Sequence, residues 1–81
     1  MENPKFDVPV VVLTQGNEAM SIQDVVACTG FLLKNWRGRR GDKHREALQA
    51  CSDASDGKKP AAIARRAFTA AARDTGVLLK A

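Results

Sequence analysis

The chain has 81 residues, a net charge of +4 and four aromatic side chains, three Phe and one Trp. That length allows one domain with a modest core, burying only about 60% of the surface its unfolded form exposes. Two cysteines are too few for a disulfide framework, and the apolar run at 10–13 is too short for a signal peptide or a membrane span. A single small domain over residues 1–81 is expected, soluble and cytoplasmic, without membrane contact.

From the amino terminus, Phe6, Val8, Val10 and Val12 alternate with Asp7, Pro9, Val11 and Leu13, which is strand periodicity. Pro9 cannot donate to a ladder, so this strand is expected at a sheet edge or with its proline at the rim. Gln15-Gly16-Asn17-Glu18 carries Gly-Asn at the centre of a hairpin turn, and residues 18–22 return as a short second strand. Ser21 with Asp24 three residues on reads as a helix start. Ile22, Val25, Val26, Thr29, Leu32, Leu33 and Trp36 then recur at helical spacing, so the first helix is expected over 22–36. Gly30 within it costs about 1 kcal/mol relative to Ala and suggests a close backbone approach.

Gly38 and Gly41 bracket a loop, after which Asp42 is placed to cap a second helix whose inner face is His44, Ala47, Leu48, Cys51 and Ala54. The Ser- and Asp-rich stretch 52–57 ends it, with Gly57 at the carboxyl-side cap. Pro60 sits at the first turn of a third helix with a stripe of Ala64, Ala67, Phe68, Ala71 and Ala72, and Gly76 stops it. Val77-Leu78-Leu79 is a last short strand or a docked tail. The fold class is therefore α+β: a small antiparallel sheet, an amino-terminal hairpin with a short carboxyl-terminal strand, covered by three helices in the order β(β)ααα(β).

Charge is unevenly placed. Residues 34–45 carry +5 and residues 58–81 carry +5, whereas 1–33 and 46–57 each carry −3. Arg37, Arg39 and Arg40 lie in the Gly-flanked loop, and Lys43 and Arg45 fall in the first turn of the second helix. Cations there oppose the helix dipole unless an anion is present, and a phosphate would meet N–H groups and arginine forks together. Arg66 and Arg73, seven residues apart, share a face of the third helix, with Arg65 about 100° round from Arg66. Arg37, Arg39, Arg40, Lys43, Arg45, Arg65 and Arg66 are the candidate contacts for an anion or partner. The plainer alternatives are a solvated loop and the charged outer face of an amphipathic helix. That helix lacks Asn or Gln outside to read bases, which argues against sequence-specific DNA recognition.

Catalytic chemistry finds no footing. His44 and Cys51 are seven residues apart on one helix, about 10.5 Å along its axis, too far for a thiol and its base. Cys28 can approach either only through a tertiary contact, and both cysteines read as buried apolar side chains. Two Cys and one His without paired spacing make a poor zinc set. No phosphate loop, dinucleotide fingerprint or nucleophile elbow is present. No catalytic residue, cofactor or metal is expected. Trp36 reads as a staple of the first helix to the core, with stacking on a base as the alternative.

Several segments taken together resemble a known family. They are Pro9-Val10 in the first strand, a helix closing in Phe31-Leu32-Leu33-Lys34-Asn35-Trp36, a basic stretch reaching His44, and Ala47-Leu48 with Cys51 and Gly57. Ala64-Arg65-Arg66-Ala67-Phe68 and Ala70-Ala71-Ala72 complete the pattern. Over about Phe6 to Val77 the chain resembles the short alphaproteobacterial proteins grouped as domain of unknown function 982. The family usually has proline after the tryptophan, where this chain has Arg37. The resemblance implies fold and cytoplasmic location and brings no activity, cofactor or catalytic residues.

The resulting expectation is a small non-catalytic interaction or accessory domain with a basic face. Weak, non-specific nucleic-acid or phosphate-anion binding through the basic loop is the alternative. An enzyme or ligand carrier completed by dimerisation has the least support. Partner classes are an acidic protein, nucleic acid or a second copy of the chain in a homodimer. The basic face exists only if its arginines are not engaged by Glu46, Asp53 or Asp56.

Overall fold

The computed structural model describes residues 4–36 and 40–81. Strands β1 (Lys5–Leu13) and β2 (Ala19–Asp24) are followed by helix α1 (Val25–Gly30), which widens into a π-helical turn over Phe31–Asn35. Helices α2 (Asp42–Ser55) and α3 (Ala61–Thr75) and strand β3 (Leu78–Lys80) complete the fold. The sheet order is β2-β1-β3, antiparallel throughout, so the expected α+β order β(β)ααα(β) holds with both uncertain strands present.

β1 is the central strand, not an edge. Pro9 is tolerated there because the register shifts between Lys5 and Val10, and the proline lies within that interruption where no ladder donor is required. The hairpin turn is framed one residue earlier than the Gly-Asn signal suggests. Asn17 N–H donates to the Thr14 carbonyl (3.0 Å) and Thr14 N–H to the Glu18 carbonyl (2.8 Å), which puts Gln15-Gly16 at the centre. Asn17 takes the left-handed conformation (φ 63°), which asparagine tolerates better than most residues.

The first helix is shorter than its periodicity predicts. Ser21 and Ile22 lie in β2, paired with Val11 and Val10 of β1. Asp24 is the true amino-terminal cap, its Oδ1 accepting from Ala27 N–H at 2.7 Å. After Gly30 the backbone loosens into the π turn, which turns both Phe31 and Leu32 inward and leaves Leu33 exposed. Such a turn leaves carbonyls without regular helical partners. His44 Nε2 bonds the Leu32 carbonyl at 2.7 Å and Arg40 Nη2 donates to the Leu33 carbonyl at 2.8 Å. Gln15 Nε2 donates to the carbonyl of Trp36 at 3.0 Å, tying the hairpin to the end of the segment. Gly30 admits no close backbone approach: a Cβ placed there meets nothing within 4 Å outside its own helix.

α2 begins with Gly41 at the cap position and Asp42 in the first turn, so Asp42 is not the cap. Gly57 (φ 78°) and Gly76 (φ 84°) end α2 and α3 in the left-handed conformation their caps need. The core gathers Phe6, Val10, Val12 and Ile22 from the sheet with Val25, Cys28, Phe31, Leu32 and Trp36. Opposite them lie Ala47, Ala50, Cys51 and Ala54 of α2 and Ala64, Phe68, Ala71 and Ala72 of α3. Phe31 is its hub, meeting Trp36 (6.0 Å) and Phe68 (5.7 Å) edge-on, contacts worth about 0.5–1.5 kcal/mol each beyond burial. Trp36 is buried, as its stapling role predicts, with its ring 5.2 Å from that of His44.

Candidate functional site

α3 turns Ala64, Phe68, Ala71 and Ala72 to the core, which rotates a second set of side chains to its outer side. There Ala62, Arg65, Arg66, Thr69, Ala70 and Arg73 line a shallow groove of about 370 Å³. Three of its lining residues are arginine, the others are alanine or threonine, and none is acidic. Thr69 is buried, and its hydroxyl is already spent, donating to the Arg65 carbonyl at 2.7 Å. Arg65 is half-buried and donates from Nε to the carbonyl of Val8 on β1 at 2.7 Å. That bond fixes one edge of the guanidinium and leaves its two terminal nitrogens for another acceptor. Arg66 and Arg73 are exposed and, among the described residues, in no ion pair.

The other candidates sit at the start of α2. Arg40 is exposed but folds back onto the Leu33 carbonyl, so part of its donor set serves the π turn. Arg45 pairs with Asp42 at 2.7 Å, both side chains largely in water, an arrangement worth about 0–1 kcal/mol. Lys43 is exposed beside them. Arg37 and Arg39 lie outside the described residues. Among the described residues, no arginine pairs with Glu46, Asp53 or Asp56; Asp53 instead meets Lys59 Nζ at 3.6 Å and accepts from Gln49.

Sequence reasoning placed Arg66 and Arg73 on one face but did not count Arg73 as a contact residue. Its signal was there in the helical spacing. The tertiary contact by which Cys28 can reach Cys51 is present. α1 and α2 bring Cys28 and Cys51 together in the core, Sγ to Sγ 3.1 Å, both as free thiols. Among the described residues, no group of three or more His, Cys, Asp or Glu side chains is placed to hold a metal ion. No helix there is long and apolar enough to cross a membrane.

Fold and surface together define a small α+β domain with a hairpin, three helices and a closing strand. The chain belongs to the family described as Protein of unknown function (DUF982), whose profile matches residues 8–79. It is also similar to the NMR structure of the Agrobacterium tumefaciens protein Atu1219, a structural genomics target. The TM-score is 0.78 and the identity 32%, covering 96% of this chain and 78% of that one. Among curated proteins, none matches.

Proposed function

We propose that this chain is a non-catalytic interaction domain that engages an acidic protein partner through its basic face. The contact surface is the outer side of α3, Arg65, Arg66 and Arg73, together with the basic start of α2 around Arg40, Lys43 and Arg45. A cytoplasmic setting belongs to the same reading, supported by two cysteines held as free thiols.

The observation that carries the proposal is the outer side of α3, where Arg65, Arg66 and Arg73 line one shallow depression with alanine and threonine and without an acid among them. Like charges held together destabilise a surface slightly, and an incoming carboxylate would relieve that while receiving paired N–H donors. Pull-down from native lysate at low and moderate salt tests the idea. The expected result is an acidic protein retained at low salt, weakened at moderate salt, and lost from the Arg66→Ala, Arg73→Ala double variant. No partner under either condition, or equal recovery by the double variant, sinks it.

Non-specific nucleic-acid or phosphate binding is the competing outcome, since the same arginines suit a phosphate backbone. Fluorescence anisotropy with a random duplex and a single strand across a salt series separates the two. Nucleic-acid affinity whose salt slope falls by about 1 for each arginine removed would replace the protein partner with a phosphate backbone.

A further inference from the structure

Two buried thiols on different helices, 23 residues apart in sequence, meet at 3.1 Å in the core. The disulfide bond length is about 2.05 Å, so a closing movement of about 1 Å separates this contact from a covalent bond. Cys28 comes from the short helix α1 and Cys51 from the middle of α2, so a bond between them would join two elements that already pack together. We infer that Cys28 and Cys51 form a reversible dithiol–disulfide site, oxidised by a small peroxide and reset by a dithiol reductant. This inference is independent of the partner-binding reading.

The two thiols are not equivalent. The hydrogen bond between them holds the Cys51 thiol below its ordinary range, against the opposing effect of burial. The same bond, with burial and the nearby Asp24 carboxylate, pushes Cys28 well above it. The contact is symmetric enough in distance for either sulfur to attack and the other to resolve, and Cys51 is taken as the first.

In the first step the Cys51 thiolate attacks one oxygen of hydrogen peroxide. The O–O bond breaks, the departing hydroxide takes the proton that Cys51 gave up on ionising and leaves as water, and Cys51 becomes a sulfenic acid. Next, the Cys28 sulfur attacks the Cys51 sulfur. The S–O bond breaks, and the departing hydroxide takes the Cys28 proton and leaves as a second water. Two thiols and one peroxide thus give one disulfide and two waters, with sulfur oxidised and peroxide oxygen reduced.

Both sulfurs are fully buried, so peroxide reaches them through local opening of α1 against α2. α1 offers the means, since it has only six residues and runs into the π turn. Thioredoxin-sized oxidants are excluded by the same burial, which selects for a small one.

The experiment treats reduced, folded protein with hydrogen peroxide and follows intact mass, thiol count after denaturation, and melting temperature. Expected are a mass loss of about 2 Da, loss of both thiols together, and reversal by dithiothreitol. The cross-link should also raise Tm by about 10 °C. Trypsin should release peptides 6–34 and 46–58 as one linked species. Cys28→Ser and Cys51→Ser should each instead accumulate oxygen on the cysteine that remains, with no linked peptide pair. Gain of about 16 Da per cysteine in the unsubstituted protein, disulfide-linked dimers, or thiols that survive peroxide enough to consume free cysteine would each overturn the inference.

Discussion

His44 shows how one side chain decides a local conformation. Its Nε2 meets the Leu32 carbonyl, and its ring lies against Trp36, so the histidine satisfies a group the π turn releases and packs in the same place. A dyad with Cys51 is excluded by their separation along the helix, and the contacts of His44 give it a structural task. Gly30, just before the turn, is the opposite case. Its backbone is ordinary helix (φ −60°, ψ −43°), and a methyl group there meets nothing. Gly30→Ala should therefore stabilise the fold by roughly 0.5–1 kcal/mol through a less flexible unfolded chain. A urea titration should show a higher midpoint with an unchanged slope; a lower midpoint would mean that some contact at Gly30 is needed after all.

Among the elements, α3 separates structural from surface arginines. Arg65 bridges from the helix to Val8 of β1, whereas Arg66 and Arg73 face solvent. Arg65→Ala should cost roughly 1 kcal/mol, while Arg66→Ala and Arg73→Ala should each change stability by less than about 0.5 kcal/mol. Thermal melts of the three single variants check this, and equal losses would remove the distinction. α3 and α2 were legible in the sequence because their apolar stripes, end glycines and Pro60 all agree with one helical reading. The boundary between β2 and α1 was not. Ser21 and Ile22 satisfy both a strand alternation and a helical period, and the ladder to Val10 and Val11, a tertiary interaction, settles it. Pro9 misled for a related reason, since an irregular register that accommodates proline leaves no mark on composition.

At the level of the whole molecule, the central strand receives partners from both directions along the chain. β2 pairs with it through a tight turn, and β3 reaches it from the far side of three helices, Leu78 opposite Val12. The sequence showed that a carboxyl-terminal strand could form, yet its place beside β1 depends on how α3 lies across the sheet. The candidate site was legible to a similar degree. Helical spacing predicted which arginines share a face, but only packing reveals that Arg65 is partly committed to β1, that Arg40 and Arg45 have local partners, and that the two thiols touch.

The π turn has one last implication, for how the chain tolerates a change in its length. A π turn is an α-helical turn holding one surplus residue, and Leu33 within this one is 48% exposed, so it can be removed without opening the core. Deleting Leu33 should let the segment relax to ordinary α-helix while Phe31, Leu32 and Trp36 keep their inward directions. Deleting Ala50, inside α2, would instead swing Cys51 and Ala54 about 100° away from the interior. The shortened chain lacking Leu33 should give a cooperative melt and a native-like circular dichroism spectrum, and the one lacking Ala50 should give neither.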